Sequence, residues 1–414
     1  MNFLQFAVWG AYLTSMGGYL ARIGLESHIG IFYAMQGIVS LFMPALIGII
    51  ADRWVQAQRM LGICHFISAA AMVAAGVYGL TAGDAVQFPL LFSFYSIGVA
   101  FYMPTLALSN SVAFTVLEKA GLDTVKHFPP IRVFGTIGFI VAMWAVDLAG
   151  QQHAPGQFLV SAGIGVMLAL YALTLPECPV IRRKEKQSLA DAMGLKAFSL
   201  FKQKKMALFF IFSMLLGVSL QITNGFANTF ISSFGNIAEY AETFGVKHAN
   251  ILISLSQMSE AACILMIPFF LKRFGIKNVM LIAMVAWVLR FGLFGAGDPG
   301  PGVWMFVLSM LVYGVAFDFF NVSGGLFVNE ETDPGIRSSA QGLFMMMTNG
   351  IGATVGTLGA QAVVNRFVYS QSEPAAQMAG WSTSWYVFAG YALVVALMFM
   401  IVFKHSHKAE TARK

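Results

Sequence analysis

The chain has 414 residues, of which 58% are hydrophobic and 11% are charged, and its mean hydropathy is +0.73. A soluble domain usually carries about a quarter charged residues, so this composition excludes an ordinary soluble protein. The apolar residues come in blocks of roughly 20, the length that spans a hydrocarbon core about 30 Å thick. Because the strands of membrane β-barrels alternate apolar and polar residues, these continuous blocks predict an all-α polytopic membrane protein.

The apolar blocks predict about twelve transmembrane helices in two sets of six. The first six lie near residues 3–22, 29–51, 59–81, 88–115, 130–149 and 156–175, and the second six lie near 206–230, 248–271, 276–296, 302–328, 338–364 and 381–404. We therefore divide the chain into an N-terminal six-helix half (1–175), a basic linker (176–205), a C-terminal six-helix half (206–404) and a tail (405–414).

The net charge of +6 follows from basic residues placed mostly on one side of the predicted helices. The linker is the richest segment and contains the run Arg182-Arg183-Lys184-Glu185-Lys186. By the positive-inside rule, the linker, the tail and both termini are cytoplasmic. The linker could also be a nucleic-acid or lipid-binding patch, but its position favours a connector along an anionic membrane face, with no nucleic-acid partner.

The loop between the second and third predicted helices reads Gly48-Ile-Ile-Ala-Asp52-Arg53, and Arg59 follows. This G-x-x-x-D-R loop resembles a motif of the major facilitator superfamily, in which two six-helix halves hold the substrate near the membrane midplane. We expect Gly48 to allow close helix approach and Asp52 to pair with an arginine and latch the cytoplasmic side. The equivalent loop of the second half, 272–277, is basic but lacks the aspartate.

One arginine and two acids lie inside apolar stretches, where an ionisable side chain is costly unless it faces protein or water. On the fifth predicted helix, Arg132, Thr136 and Phe139 share one face at offsets of four and three residues. This face could hold a ligand that combines hydroxyls with a flat base. Alternatively, Arg132, one residue into the predicted helix, extends to the interface.

The seventh and eighth predicted helices carry amides and an acid. Gln221 and Asn224 share a face, and amides suit a neutral polar ligand because they both donate and accept hydrogen bonds. They could also serve only to pack helices together. Gln257 and Glu260 also share a face, and Glu260 could bind a proton or accept hydrogen bonds from sugar hydroxyls. The alternative is a structural ion pair between Glu260 and Arg290.

The tenth predicted helix has the densest pattern. Tyr313, Phe317 and Asn321 recur every four residues and share one stripe, whereas Asp318 points about 100° away from Phe317. Two aromatic rings could clamp a planar base, and Asn321 could bond to the base edge or to a ribose hydroxyl. Asp318 is surrounded by phenylalanines, which disfavour its charged form and suit a proton-coupling site.

These residues resemble the bacterial nucleoside:proton symporters of the major facilitator superfamily over nearly the whole chain. The matching segments lie at 128–140, 220–224, 254–260, 316–324 and 339–350. The resemblance implies a nucleoside pocket lined by Arg132, Thr136, Phe139, Gln221, Asn224, Gln257, Glu260, Tyr313 and Phe317. It further implies that Asp318 acts in transport through protonation.

The resulting hypothesis is a proton-coupled importer of purine or pyrimidine nucleosides, such as uridine or adenosine, working by alternating access in the bacterial inner membrane. It needs no cofactor, metal or catalytic residue, and we expect a monomer. A sugar or other neutral polyol carried on the same fold is the main alternative. A membrane-embedded enzyme lacks support, since no H-E-x-x-H or G-x-S-x-G motif is present. A sensor that does not transport would show the same polar pocket.

Overall fold

The computed structural model describes residues 1–178, 195–333 and 336–404. Over these ranges the chain is helical and contains no strand. Eight of the described helices are long and apolar enough to cross a membrane. The predicted all-α polytopic membrane fold is therefore confirmed. Most of the predicted linker, including the 182–186 run, and all of the predicted tail lie outside the described residues.

The chain separates into two compact units. One comprises Met1–Met193 together with Asn224–Thr229, and the other comprises Gly194–Thr223 together with Phe230–Lys414. The first unit therefore contains a short segment of the seventh predicted helix as well as the first six.

The helices of the first unit follow the predicted order with two interruptions. They are α1 (Asn2–Gly10), α2 (Met16–Arg22), α3 (Ile29–Ser40), α4 (Met43–Arg53), α5 (Ala57–Ala82), α6 (Phe88–Lys119), α7 (Thr124–Leu148) and α8 (Gly156–Ala172). The helix predicted at 29–51 corresponds to the apolar span Glu26–Ala51, which has a short turn at 41–42, and the helix predicted at 3–22 is interrupted by a turn at 11–15. Pro44 in the first turn of α4 has no N–H to donate, so it favours a new helix start at this point.

After residue 194 the described chain begins with a 3₁₀ segment at Leu195–Lys202 and continues through eight α-helices, of which the second lies partly in the first unit. They are α9 (Lys204–Leu220), α10 (Ile222–Ser233), α11 (Phe244–Lys247), α12 (Ala249–Ala296), α13 (Val303–Glu331), α14 (Arg337–Met345), α15 (Ala353–Val364) and α16 (Pro374–Val402). Two π-helical segments, Met346–Gly352 and Asn365–Tyr369, flank α15. The predicted loop at 272–277 coincides with non-helical backbone at Gly275, whose φ of 74° favours glycine. α12 therefore comprises two helices, one on each side of Gly275, as predicted at 248–271 and 276–296.

Two predicted helix starts were wrong. The fifth predicted helix begins at Thr124, not at residue 130, so Arg132 lies more than two turns inside α7. Pro130 is therefore inside the helix, a placement that membrane helices tolerate when other groups satisfy the freed carbonyl. The last helix begins at Pro374, not at 381, after Glu373 in extended conformation. Proline is common at the first turn of a helix and could have located this start.

Glycines allow close backbone contact within each unit. A Cβ added at Gly352 or Gly356 would overlap the carbonyl oxygens of Met214 or Val218 on α9. Gly352 and Gly356 are spaced as G-x-x-x-G, a spacing that lets helices pack closely. The expectation of close helix approach at Gly48 was wrong, because among the described residues no heavy atom lies within 4 Å of a Cβ built there.

We expect Gly356→Ala to destabilise the protein by about 1–3 kcal/mol, since the added methyl group meets backbone atoms that cannot rotate away. The matched control is Gly359→Ala on the same helix, where an added Cβ meets no described heavy atom within 4 Å. Thermal unfolding in detergent should show a lower Tm for Gly356→Ala and little change for the control. Equal Tm values for the two variants would contradict this packing account.

Candidate functional site

The three side chains predicted on the fifth helix lie along α7 in the first unit. The guanidinium carbon of half-buried Arg132 lies 4.0 Å from the centroid of the Phe6 ring on α1, a cation–π contact. Thr136 follows one turn later and is also half-buried. Phe139 is buried and packs edge-on against Trp9, with 6.4 Å between ring centroids and 83° between planes. The face of α7 that carries these residues therefore lies against aromatic side chains of α1.

Two glycines bring α1 and α7 together. An added Cβ at Gly138 would overlap the Phe3 carbonyl, and one at Gly10 would overlap the Phe139 carbonyl. Only hydrogen atoms fit at these two crossings. This close approach places Phe6 and Trp9 of α1 beside the polar face of α7.

A buried polar network that sequence reasoning missed also holds α1 in place. The Gln5 amide donates to Thr105 Oγ1 at 2.7 Å, and its oxygen lies 2.8 Å from His65 Nε2. The Tyr102 hydroxyl donates to the Gln5 carbonyl oxygen at 2.8 Å. A glutamine and a histidine within apolar blocks were the available signal, because buried polar groups in membrane helices need partners.

Trp9 has its own polar partners. Its indole N–H donates to Gln36 Oε1 at 3.3 Å, and the Gln36 amide donates to the Tyr95 hydroxyl at 2.9 Å. Trp9 is half-buried, whereas Gln36 and Tyr95 are buried. These hydrogen bonds fix the orientation of the indole ring, and part of the Trp9 side chain remains accessible.

The seventh predicted helix is not continuous. Gln221 stands at the junction of α9 and α10, where the hydrogen-bonding pattern of the helix is interrupted. The helix predicted at 206–230 lies within the apolar span Lys204–Asn236, and the interruption is confined to Gln221. Gln221 is half-buried, and so is Asn224 in the first turn of α10.

The predicted polar stripe of the second unit lies on α12 and α13. Gln257 and Glu260 are half-buried on α12. On α13, the Tyr313 and Phe317 rings stack on each other, with 5.5 Å between centroids and 17° between planes. The expectation that these rings clamp a base was wrong for this conformation, because no third ring fits between them. Tyr313 is buried and Phe317 is half-buried, so Phe317 offers the accessible ring surface.

A charged side chain lies against the buried ring of this pair. The Arg290 guanidinium carbon lies 4.5 Å from the Tyr313 ring centroid. Glu260, Arg290 and Asp318 all lie within electrostatic range of the Tyr313 hydroxyl. The sequence suggested Arg290 only as an alternative partner of Glu260.

Two further residues of α13 have distinct surroundings. Asp318 is only 5% exposed and lies within electrostatic range of the Cys263 thiol on α12. Asn321 is half-buried, and its Oδ1 atom has no hydrogen-bond partner among the described residues. An acceptor in this state can receive a hydrogen bond from a polar solute.

The predicted gating loop is described only in part. The side chains of Asp52 and Arg53 lie outside the described residues. Arg59 forms an ion pair with Glu177 at 3.5 Å, and both side chains are largely exposed. Among the described residues, no group of three or more His, Cys, Asp or Glu side chains could hold a metal ion. Cys64, Cys178 and Cys263 are free and buried.

The fold and the polar side chains inside its apolar helices are those of a polytopic membrane transporter. The sequence profile of the family described as "Nucleoside H+ symporter" matches residues 1–408. The chain belongs to this family.

Two relatives from Escherichia coli (strain K12) align over almost their full lengths. The chain is 48% identical to the nucleoside permease NupG over 410 residues, which covers 98% of this chain and 95% of that protein. It is also 48% identical to a xanthosine permease over 413 residues, covering 99% and 96% of the two chains. Both relatives are named as permeases.

Solved structures show the same fold. The crystal structure of the nucleoside transporter NupG superimposes with a TM-score of 0.87 at 47% identity, covering 98% of both chains. A D-xylose–proton symporter superimposes with a TM-score of 0.72 at 14% identity, covering 99% of this chain and 97% of the other. The predicted major facilitator fold is therefore confirmed.

Proposed function

We propose that this protein imports nucleosides together with protons by alternating access. The observation that carries the proposal is the family match over residues 1–408, combined with 48% identity to two nucleoside-related permeases. The described site supports it, since it offers accessible aromatic surface, amides and acids within apolar helices. The protein acts as a transporter without chemical turnover of its substrate.

The polar groups suit the sugar. Gln221, Asn224, Gln257 and Glu260 supply donors and acceptors for ribose hydroxyls, and all four are half-buried. Because a neutral polyol loses hydrogen bonds to water on entering a membrane protein, each hydroxyl needs a replacement partner. We assign sugar binding to these side chains.

The aromatic groups suit the base. Phe317 offers an accessible ring surface, and Tyr313 supports it from its buried side. Phe139, which is buried against Trp9, completes the aromatic set that we assign to the base. Arg132, Thr136 and Asn321 contribute polar contacts to the edge of the base or to the ribose. Such a set accepts purine and pyrimidine rings alike, because every base has a planar face that stacks.

Proton coupling falls to Asp318 or Glu260. A charged carboxylate at membrane depth is costly, and protonation removes that cost when the loaded carrier changes conformation. Asp318 is the more buried of the two acids. We therefore assign the coupling step primarily to Asp318.

The distribution of basic residues determines how we orient the protein in the membrane. We place the protein in the bacterial inner membrane as a monomer, with both termini and the basic linker on the cytoplasmic side. The six-helix halves 1–175 and 206–404 carry out the conformational change, and Gly48, Asp52, Arg53 and Arg59 belong to the loop that gates the cytoplasmic side.

Competition for uptake tests the substrate class. Proteoliposomes containing the purified protein should take up labelled uridine, and excess unlabelled adenosine or xanthosine should reduce that uptake. Excess sucrose or xylose should leave it unchanged, because a sugar lacks the base that stacks on Phe317. Inhibition by the sugars and not by the nucleosides would contradict the proposal and favour a polyol transporter.

A further inference from the structure

Trp9 is an aromatic side chain of the first unit that the transport scheme above leaves without a role. That scheme counts Phe139 among the rings for the base, but Phe139 is only 5% exposed. Trp9 packs edge-on against Phe139, with 6.4 Å between the ring centroids, and is itself half-buried. Of these two rings, Trp9 is therefore the one that a solute can reach.

The surroundings of Trp9 place it on the side of α7 away from lipid. All nine residues of α1 are described, and none of them is exposed. α7, in contrast, carries a stripe of exposed apolar side chains that includes Val133, Ile137 and Val141. Phe139 lies about 200° around α7 from Ile137, since successive residues of an α-helix are about 100° apart. Trp9 contacts Phe139 and so lies against the face of α7 that is opposite this stripe.

One hydrogen bond fixes the orientation of the indole ring. The Trp9 Nε1–H group donates to Gln36 Oε1 at 3.3 Å. An indole nitrogen can only donate, so the Gln36 amide presents its oxygen to Trp9 and its nitrogen to Tyr95. Both Gln36 and Tyr95 are buried, which holds the acceptor in place. Because the indole N–H group is already used, the accessible part of Trp9 offers a planar apolar surface and no donor.

The second unit contains a pair of rings with the same division of burial. There the buried Tyr313 stacks on Phe317, and Phe317 carries the accessible surface. In the first unit the buried Phe139 supports Trp9 in the same way. Each unit thus has one accessible ring that is held by a buried ring, and a base stacks on an accessible ring face.

We propose that Trp9 is the ring of the first unit that stacks on the nucleobase, and that Gln36 is the positioning residue that orients it. This inference rests on the proposed nucleoside transport and deepens it by adding Trp9 to the residues that contact the base. Phe139 then supports Trp9 from behind. Stacking uses the ring face and not the N–H group, so Trp9 serves purines and pyrimidines alike.

Equilibrium binding of labelled uridine to the purified protein tests the contact. Trp9→Ala should weaken binding by about 5- to 150-fold, the range expected for loss of one base–aromatic stack. The matched control, Trp304→Ala, removes a tryptophan that is 56% exposed in the first turn of α13, and it should leave the Kd unchanged. An unchanged Kd in folded Trp9→Ala protein would overturn the inference.

Tryptophan fluorescence separates contact from packing. Uridine should quench part of the emission of the wild-type protein. Trp9→Phe keeps a ring, so it should retain most of the affinity and lose this quenching, whereas Trp304→Phe should retain both. A loss of affinity in Trp9→Ala, combined with quenching that does not depend on Trp9, would assign Trp9 to packing and overturn the inference. The comparison of the two phenylalanine variants does not require Trp9→Ala to fold.

A double-mutant cycle tests the role of Gln36. Gln36→Leu leaves the indole N–H group without its acceptor and should weaken uridine binding by about 2- to 13-fold, the range expected for one hydrogen bond. In Trp9→Phe protein, which has no N–H group at this position, Gln36→Leu should change the Kd no further. The same loss in both backgrounds would show that Gln36 does not act through Trp9 and would overturn its positioning role.

The inference and the proposed function fail in different ways. If folded wild-type protein did not bind uridine, the proposed function would be overturned together with this inference. If the wild type bound uridine with an affinity and a quenching that do not depend on Trp9, only this inference would be overturned.

Discussion

Replacing Asp318 with asparagine should abolish proton-driven accumulation of nucleoside while nucleoside binding persists. Asparagine has nearly the same size but cannot take up or release a proton. We expect accumulation to fall at least about tenfold, because a permanently neutral side chain cannot couple the conformational change to the proton gradient. Exchange of internal for external uridine needs no net proton movement and should continue. Accumulation and exchange assays on the same proteoliposomes measure both quantities.

The matched control for this variant is Asp298→Asn. Asp298 lies between α12 and α13, outside both helices, where its Oδ1 accepts hydrogen bonds from the Gly300 and Gly302 N–H groups. An asparagine oxygen can accept the same bonds, so accumulation should match that of the wild type. If Asp318→Asn accumulated uridine at the wild-type rate, Asp318 would not be the coupling residue and Glu260 would take that place.

Phe317→Ala should weaken nucleoside binding by about 5- to 150-fold, since loss of one base–aromatic stack costs roughly 1–3 kcal/mol and tenfold in Kd is about 1.4 kcal/mol. Phe317 carries the accessible surface of the ring pair, whereas Tyr313 is buried behind it. Phe317→Tyr keeps the ring and should retain most of the affinity. Equilibrium binding of labelled uridine and adenosine to purified protein measures the change in Kd.

Phe269→Ala is a control for general loss of aromatic packing. Phe269 is 62% exposed on α12, so its removal should leave nucleoside affinity unchanged. Comparing Tm values of the variants with and without uridine separates a folding defect from a binding defect. An unchanged Kd in Phe317→Ala would mean that the base does not stack on this ring.

Helix positions were predictable to the extent that hydrophobicity alone determines them. Apolar blocks located the membrane-spanning segments, and the basic stretch at 272–277 marked the turn that the structure places at Gly275. The break at Gln221 and the early start at Thr124 were not predictable in this way. Gln221 lies between Leu220 and Ile222, so hydropathy does not register the interruption there. At the start of α7, Lys126 and His127 are too polar for an apolar block to include them.

The candidate site was predictable along single helices and not across them. Helical periodicity placed Arg132, Thr136 and Phe139 on one face, but it could not show that Phe6 and Trp9 lie against that face. These contacts join residues more than 120 positions apart in the sequence. Local spacing carries no information about such pairs.

The same limit applies to buried polar groups. Gln5 bonds to Thr105 and His65, which lie 100 and 60 positions away in the sequence. A polar residue within an apolar block does not indicate which distant residue is its partner. The four-residue spacing of Tyr313 and Phe317 correctly suggested a shared stripe, but it left the contact between their rings open. Side-chain rotamers decide whether neighbouring rings stack or stand apart.

Accumulation of labelled uridine in proteoliposomes with an inward proton gradient tests the central claim most directly. We predict that internal uridine will exceed the external concentration and that a protonophore will abolish this excess. Adenosine should behave in the same way, and liposomes without protein should show neither effect. Uridine that only equilibrates across the membrane, with the same final level in the presence of protonophore, would contradict proton-coupled import by this protein.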